Sequence, residues 1–253
     1  MNVIRPVWPA PASIHSLVTT RQAGSSSSPY DSLNLGDHVG DEPSCVIANR
    51  EVLQKHLPAQ PLWLAQTHSI AVSTPKSRLQ FSSGPIEADA AVTDNPDEVL
   101  AILTADCLPV LITSADGKVI GAAHAGWRGL CDGILENTVS EMLKLSDQSY
   151  AADLMVWMGP AIGPESFEVG QDVVERFAKS AVHDMQKCFV PIANKPGKYL
   201  ADIYQLARER LISIGVNAIY GGDLCTVQDG ERFFSYRRDG ATGRFASLIW
   251  VSK

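Results

Sequence analysis

Two apolar, β-branched runs flank a turn in the stretch 101–129, and this arrangement constrains the fold more than any other part of the sequence. VLAILT and PVLIT precede the dipeptide Asp116-Gly117, a type I′ turn sequence, and VIGAAHA follows it. We therefore predict a β-hairpin. Because hairpin strands run back alongside each other, residue 124 should pair with about residue 109. Cys107 and His124 are thus expected at neighbouring positions at one end of the ribbon.

The second strand leads into Gly126-Trp127-Arg128-Gly129, which predicts a loop that opens a helix. Backbone N–H groups at a helix N-terminus favour anions. A thiol, an imidazole and a helix start are therefore expected together at one strand end, an arrangement typical of an active site. Cys107 and His124 are the predicted catalytic residues there.

The composition is typical of a globular enzyme. The 253 residues are 45% hydrophobic and 19% charged, which excludes a disordered chain. A net charge of −7 argues against general binding of nucleic acid or anionic membranes. No run reaches the roughly 18 apolar residues of a membrane span. The N-terminus lacks the apolar core of a signal peptide, so we expect a cytoplasmic protein.

The cysteines are odd in number, widely spaced and free of CxxC pairs, which predicts reduced thiols and no disulfide framework. They are Cys45, Cys107, Cys131, Cys188 and Cys225.

Helical periodicity predicts several helices between short strands. The predicted helices cover residues 45–57, which carry Arg50, and 130–145, 171–182 and 195–215. A predicted strand over 61–74 is interrupted at Gln66-Thr67-His68, and residues 231–251 predict two strands around Asp239-Gly240. Interspersed helices and strands with frequent hairpins favour a mixed-sheet α/β fold in a single domain over residues 1–253.

His68 is the best candidate to join Cys107 and His124, because it interrupts a strand next to polar residues. One thiolate and two imidazoles suit zinc, with the fourth tetrahedral position open for water. A zinc site is therefore one interpretation of these residues, although their spacing alone is weak evidence for it. Two other interpretations stay open: Cys107 as a core thiol with His68 hydrogen-bonded in a loop, or a metal-free hydrolase with Cys107 as nucleophile and His124 as base.

Arginines are the second predicted feature, because guanidinium groups bind phosphate or carboxylate through two hydrogen bonds. The hairpin places Arg128 near the proposed site, whereas the sequence does not fix the positions of Arg50, Arg237 and Arg238. The alternative for each is a surface ion pair. Asp239-Gly240 with Thr242-Gly243 predicts either a phosphate-binding loop or a hairpin turn.

Several aromatic residues could stack on a planar base or lie in the core. They are Trp63, Trp127, Phe167, Phe233 and Phe234.

Five long motifs resemble the bacterial YfiH-like family, also called the laccase-domain or polyphenol oxidase family, of which human FAMIN is a relative. They are PYDSLNLG at 29–36, TADCLPVLI at 104–112, HAGWRGL at 124–130, GPAIGPESFEVG at 159–170 and FFSYRRDGATGR at 233–244. The resemblance covers essentially the whole chain. It implies a single mixed-sheet domain with α/β/β/α layers, akin to cysteine-hydrolase-like toxin domains.

The resemblance also implies a zinc site made of His68, Cys107 and His124. It carries over Arg50, from the family's Asn-Arg pair, and Asn34, from the SLNLG motif. The predicted catalytic residues are these three ligands and Arg50. The predicted substrate-binding residues are Arg50, Asn34, Arg128 and Arg238.

The implied activity is phosphorolysis of adenosine and inosine, with adenosine deaminase and methylthioadenosine phosphorylase side activities. The partners would then be a purine nucleoside and phosphate. Some members are instead described as editing peptidoglycan precursors, so a hydrolase acting through the same site is the alternative. A third hypothesis is a zinc-stabilised interaction protein. The open fourth position argues against it, because structural zinc sites normally have four protein ligands.

The histidine count argues against a blue multicopper oxidase. Such a cluster needs about ten imidazoles, mostly in His-x-His pairs. The chain has six histidines and no His-x-His pair. Any oxidase activity would therefore come from a single adventitious copper ion in the His/Cys/His site.

Overall fold

A computed structural model describes residues 1–80, 84–146, 150–180, 182 and 185–252. The strands are β1 (Val3–Ile4), β2 (Ile14–Thr19), β3 (Pro61–Leu62), β4 (Leu64–Ala65), β5 (Val72–Ser73), β6 (Ile86–Glu87), β7 (Ala90–Thr93), β8 (Val99–Thr104), β9 (Leu108–Ser114), β10 (Ile120–Ala125), β11 (Leu154–Met158), β12 (Glu168–Gly170), β13 (Phe189–Pro191), β14 (Lys198–Ala201), β15 (Ala218–Gly221) and β16 (Phe245–Val251). The α-helices are α1 (Pro43–Gln54), α2 (Pro75–Leu79), α3 (Trp127–Asp132), α4 (Ile134–Leu145), α5 (Gln171–Ala178), α6 (Ile203–Ser213) and α7 (Tyr236–Asp239).

Two mixed sheets carry most of the strands. The five-stranded sheet has the order β1-β2-β16-β8-β3, and the six-stranded sheet has the order β15-β11-β9-β10-β7-β5. The central neighbours in both sheets are antiparallel, and parallel pairs occur at the edges: β3 with β8, β11 with β15 and β5 with β7. Smaller pairings join β12, β14 and β13, and β4 with β6.

The sheets pack face to face, with helices on both outer faces. Strand β16 shows how the sequence specifies this, since successive side chains point to opposite faces. Phe245 and Ile249 enter the core between the sheets, together with Leu111 of β9. Leu248 points the other way and packs with Leu53 of α1. The opposite face of the six-stranded sheet packs against α4, α5 and α6. The predicted α/β/β/α layering is confirmed.

The central hairpin forms with the predicted register. His124 pairs with Pro109 and Ala125 pairs with Leu108, so Cys107 directly precedes the paired end of β9. The turn differs from the prediction. Residues 115–119 connect the strands, and of the predicted dipeptide only Gly117 has a positive φ, +69°. A type I′ turn requires positive φ at both central residues.

Two predicted helices are interrupted. The predicted helix over 130–145 is two helices, because Gly133 adopts a φ of +109° that stops α3 before α4 begins. The predicted helix over 195–215 begins instead as strand β14. Helix α6 starts only after Asp202, whose side chain accepts a hydrogen bond from the backbone N–H of Gln205.

The C-terminal prediction of two strands around Asp239-Gly240 is wrong. Residues 236–239 form the short helix α7, since the Ser235 side chain caps it by accepting from the backbone N–H of Arg238. Gly240 follows the helix with a φ of +69°, so this dipeptide is not a hairpin turn, and the phosphate-binding alternative for this loop stays a prediction. Only β16 remains as a strand.

The other predicted elements shift in extent. Helix α1 covers Pro43–Gln54, where 45–57 was expected, and α5 covers Gln171–Ala178, where 171–182 was expected, of which residue 181 lies outside the described residues. The predicted strand over 61–74 is three short pieces, β3, β4 and β5. No helix in the described ranges is long and apolar enough to span a membrane.

Candidate metal centre and active site

Three side chains from separate parts of the chain meet at one end of the two sheets. Cys107 lies between β8 and β9, His124 lies in β10, and His68 lies in the loop between β4 and β5. The Sγ atom of Cys107 is 3.6 Å from Nε2 of His68. The three potential ligand atoms all lie within 4.8 Å of one another. The structure therefore brings together the three residues that the sequence analysis expected to share a metal ion.

A buried carboxylate, Asp89, holds His68 in place. The backbone N–H groups of Thr67, His68 and Ser69 donate to this carboxylate at 3.1, 2.9 and 2.6 Å. His68 has a φ of +62°, which is uncommon for a residue with a side chain and carries a strain cost. The three hydrogen bonds fix this unusual turn.

The same carboxylate orients the second histidine. Oδ1 of Asp89 lies 2.8 Å from Nδ1 of His124. Burial raises the pKa of Asp89, but hydrogen bonds from His124 and Ser69 outweigh burial and hold the pKa far below its ordinary value. Because Nδ1 of His124 is engaged, Nε2 is the nitrogen left for a metal ion.

Gly126 allows the loop after β10 to pass close to the ligands. A Cβ atom at this position would lie 2.7 Å from Cδ2 of His68 and 3.1 Å from Sγ of Cys107. Side-chain carbons essentially never approach as closely as the first of these contacts. Helix α3 then begins at Trp127, inside the stretch that was predicted to be a loop before a helix starting at Leu130.

The thiol and imidazole groups favour a charged pair. Burial raises the pKa of Cys107, but the attraction of His124 and hydrogen bonds with both histidines lower it to about 6. Burial lowers the pKa of His124, but Cys107 and Asp89 raise it to about 9. At neutral pH the metal-free centre therefore holds a thiolate next to an imidazolium.

The donor set fits a metal ion. Two ligands at zinc–sulfur and zinc–nitrogen bond lengths in a tetrahedron are separated by about 3.6 Å, which matches the distance between Cys107 and His68. One thiolate and two imidazoles suit a borderline ion and leave one position free. Cys107 is half-buried and lines a cavity, so it is not the core thiol of the first alternative interpretation.

A cavity of about 430 Å³ opens directly onto the three ligands. This volume lies within the range of small-molecule sites. Aromatic side chains line part of it, namely Trp127, Phe167 and Tyr236. The guanidinium groups of Arg128, Arg237 and Arg244 line another part, together with His38, whose pKa is lowered by burial. The cavity can therefore receive a molecule that has both a planar apolar part and an anionic part.

Arg128 is the one predicted substrate-binding residue that lines the cavity, and its guanidinium lies over the Trp127 ring at 4.4 Å. Arg50 lies outside the lining. It donates through Nε and NH2 to the carbonyl of Leu35, pairs with Asp37 at 3.2 Å and stacks over Trp63 at 4.4 Å. Its guanidinium supports the loop that contains Leu35, and the substrate contact predicted for Arg50 stays a prediction.

Arg238 also lies outside the lining. Its guanidinium donates to the carbonyls of Thr226, Val227 and Phe233 and pairs with Asp239. These contacts engage the N–H groups that a substrate would need, and the substrate contact predicted for Arg238 stays a prediction.

Asn34 is fully buried and absent from the cavity lining. Its Oδ1 accepts from the backbone N–H groups of Gly36 and Arg244, and its Nδ2 donates to Asp41. Asn34 thus contacts the backbone of a residue that lines the cavity, Arg244, and its own substrate contact stays a prediction. Among the predicted stacking residues, Trp127 and Phe167 line the cavity, whereas Phe233 and Phe234 are core residues.

Sequence reasoning missed Asp89, Arg244, His38 and Tyr236. Arg244 and Tyr236 fall within the motif at 233–244, but nothing in that motif distinguishes them from Arg238. Asp89 offers no sequence signal, because its partners are backbone N–H groups about twenty residues earlier and a histidine in another strand.

Comparison with known proteins covers nearly the full chain. The family described as "Multi-copper polyphenol oxidoreductase laccase" matches residues 15–252. A Haemophilus influenzae protein named purine nucleoside phosphorylase is 49% identical over 253 residues, with 99% of each chain covered. The Escherichia coli protein named purine nucleoside phosphorylase YfiH is 46% identical over 255 residues, also with 99% of each covered.

Solved structures share the fold. The crystal structure of a Neisseria meningitidis protein aligns with a TM-score of 0.91 at 45% identity, and covers 100% of both chains. YlmD from Geobacillus stearothermophilus aligns with a TM-score of 0.86 at 29% identity, covering 100% of this chain and 97% of that one. Since sequence and fold agree along the whole chain, it belongs to the YfiH-like family of laccase-domain proteins.

Proposed function

We propose that this chain is a purine nucleoside phosphorylase that cleaves adenosine and inosine with phosphate, releasing the base and ribose 1-phosphate. The observation that carries the proposal is a single cavity in which metal donors, aromatic rings and arginines meet. The names of the relatives support the same reaction class. Adenosine deaminase and methylthioadenosine phosphorylase activities are proposed as side activities of the same cavity.

The cavity's own residues meet the needs of N-glycosidic cleavage. Trp127, Phe167 and Tyr236 offer rings on which a purine can stack. Arg237 and Arg244 offer guanidinium groups for an attacking phosphate. Phosphorolysis breaks the bond between C1′ and the base nitrogen, forms a bond between C1′ and a phosphate oxygen, and transfers a proton to the departing purine.

We propose that His68, Cys107 and His124 hold one zinc ion. When bound, zinc supplies Lewis acidity, which lowers the pKa of water towards neutrality. Asp89 keeps the His124 ring in the orientation in which Nε2 faces the other two ligands. Gly126 keeps the approach to His68 and Cys107 free of a side chain.

The proposal is tested by incubating purified enzyme with inosine and with adenosine, with and without inorganic phosphate, and identifying products by mass spectrometry. We expect hypoxanthine or adenine together with ribose 1-phosphate. Omitting phosphate should stop base release but leave conversion of adenosine to inosine. Free ribose formed at the same rate without phosphate would show that the enzyme is a nucleoside hydrolase.

Hydrolysis of a peptidoglycan precursor is the alternative, and the same experiment separates the two. A muropeptide precursor offered in parallel should stay intact if the chain is a phosphorylase. Cleavage of that precursor with no turnover of any nucleoside would favour the alternative. Under either reaction the site's Cys107→Ser variant should lose activity. A Cys45→Ser variant is the matched control and should keep activity, because Cys45 is also a partly exposed free thiol but lies on α1.

A further inference from the structure

The arginines without a counter-charge are concentrated in the cavity. Seven of the twelve arginines in the chain pair with a carboxylate among the described residues. Of the other five, Arg128, Arg237 and Arg244 line the cavity that holds the metal ligands. Arg128 and Arg237 are exposed, whereas Arg244 is partly buried. Burying an arginine without a carboxylate partner costs free energy unless a bound anion offsets its charge. This distribution indicates that the cavity receives an anion.

Arg244 is the most firmly placed of the three. Its backbone N–H donates to Oδ1 of Asn34 at 2.8 Å, and its carbonyl accepts from the N–H of Leu35 at 3.0 Å. A Cβ atom at Gly36 would lie 2.8 Å from Cγ of Arg244, so this glycine makes room for the side chain. The motif SLNLG therefore positions Arg244.

Part of the Arg244 guanidinium is available to a ligand. Its NH1 donates to the carbonyls of Thr242 and Gly243, and it has no ion pair with a described carboxylate. Burial lowers the pKa of Arg244, and the nearby Cys107 and Asp106 raise it. A bound anion would offset the cost of this burial.

A second, independent observation lies directly beside Arg244. Because Phe245 pairs with Thr104 across the sheet, Arg244 enters the cavity at the end of strand β8. Thr104 lines the cavity and is 1% exposed, and its hydroxyl has no hydrogen-bond partner among the described residues. Buried hydroxyl groups are normally hydrogen-bonded. A ligand oxygen at this position would satisfy it.

One carboxylate in the cavity wall could oppose an anion, and its contacts limit that effect. Oδ1 of Asp106 accepts from the hydroxyl of Thr226 at 2.6 Å, and Oδ2 accepts from the backbone N–H of Arg237 at 2.6 Å. Asp106 therefore fixes the start of α7 and, with it, the position of Arg237. The Arg237 side chain extends over Phe167, within 5.6 Å of the ring centre.

We propose that Arg244, with Arg237 and the hydroxyl of Thr104, forms the subsite that binds inorganic phosphate next to the metal ligands. The role of this phosphate as the attacking group rests on the proposed phosphorolysis. Binding of phosphate at the subsite does not depend on that reaction. Asn34 then acts as a positioning residue for Arg244.

The test measures phosphate binding directly, by calorimetry at constant ionic strength, on wild type and single variants. Losing one charge-assisted hydrogen bond should weaken binding roughly 10- to 100-fold in Arg244→Ala. Arg244→Lys keeps the charge and should recover part of the affinity. Arg5→Ala is the control, because Arg5 is exposed, has no ion pair with a described residue and lies outside the cavity lining.

Thr104→Val separates a direct contact from a structural effect. The two side chains have nearly the same shape, and the hydroxyl makes no hydrogen bond to another described residue. The variant should fold with unchanged or higher thermal stability, yet bind phosphate about 3- to 10-fold more weakly. The KM for phosphate should rise in parallel in both Thr104→Val and Arg244→Ala, with the KM for inosine changed less than about threefold.

The possible results distinguish failure of the proposed phosphate subsite from failure of the proposed function. Unchanged phosphate affinity in Arg244→Ala and Arg244→Lys would overturn the subsite, even if wild type cleaves nucleosides with phosphate. Phosphate binding that is lost in these variants would support the subsite, even if wild type cleaves no nucleoside and the proposed function fails. Wild-type protein that does not bind phosphate at all would overturn the subsite as well.

Discussion

The carboxylate of Asp89 lies 2.8 Å from Nδ1 of His124 and is inaccessible to solvent. It also accepts the backbone N–H groups of the turn that carries His68. One buried side chain thus sets the position of two of the three potential metal ligands. Cys107, the third ligand, depends on the hairpin instead.

Asp89→Asn tests this arrangement. An asparagine keeps the shape, but an NH2 donor replaces one of the two acceptor oxygens, so the turn and the His124 ring cannot both keep their hydrogen bonds. We expect metal affinity to fall about 10- to 100-fold, as for other partners that orient metal ligands. Competition with a chromophoric chelator measures this. Asp94→Asn, an exposed change of the same charge, is the control, and equal affinity in the two variants would contradict the assignment.

The ligand set itself predicts a metal content. Protein purified without added metal should hold close to one zinc ion per chain by elemental analysis. Cys107→Ser, His68→Ala and His124→Ala should each lose most of it, because two remaining ligands bind zinc far more weakly than three. Cys45→Ser should keep the metal. Full zinc in any two of the three ligand variants would rule out the site.

Much of the site could be predicted because hairpin pairing is local. The sequence between residues 101 and 129 contains both strands and the turn, so the pairing of His124 with Pro109 follows from counting, even though the turn is longer than a type I′ turn. The layers likewise follow from alternating apolar side chains, as in β16.

The sequence does not show which arginines line the cavity and which bind other parts of the protein. Arg238 and Arg244 lie in the same motif, yet one binds backbone carbonyls and the other lines the cavity. Arg238 contacts Thr226, 12 residues earlier, and Arg244 contacts Asn34, 210 residues earlier in the chain. Such roles require the folded arrangement, because the local residue types are the same.

The reactivity of Cys107 should depend on pH in a specific direction. Burial raises its pKa, but His124 and His68 lower it to about 6, so the thiolate persists down to that pH and is lost below it. In metal-free protein, the rate of alkylation by iodoacetamide should rise with pH and reach half its maximum near pH 6. An ordinary thiol titrates near pH 8.5.

Peptide mass spectrometry assigns the modified thiol, and Cys45 in the same protein serves as the internal reference. His124→Gln removes the attracting charge and should move the midpoint for Cys107 upwards. A midpoint above pH 8 in the metal-free wild type would contradict the thiolate–imidazolium pair.

Arg50 should act on stability more than on the metal. Its guanidinium donates twice to the carbonyl of Leu35 and stacks over Trp63. Arg50→Ala should lower the free energy of unfolding by about 2 kcal/mol, from lost charged hydrogen bonds and the cation–π contact. Arg50→Lys should restore only part of the lost stability, because an ammonium group lacks the planar, two-pronged donor geometry of a guanidinium. Denaturant unfolding measures both, and zinc content should stay unchanged. Wild-type stability combined with a large loss of substrate affinity would instead support the predicted direct contact of Arg50 with substrate.

Phenol oxidation should depend on added copper. The family name refers to a multicopper oxidase, but a blue oxidase cluster needs about ten imidazoles, and this chain has six histidines with no His-x-His pair. Oxidation can then come only from one copper ion at His68, Cys107 and His124, where copper binds more tightly than zinc by the usual affinity order.

Oxygen uptake with a phenolic substrate should be near background in zinc-loaded protein and rise with added copper. Cys107→Ser should abolish the copper-dependent part, whereas Cys45→Ser should not. Rapid oxidation by zinc-loaded, copper-free protein would contradict this prediction and revive the laccase interpretation.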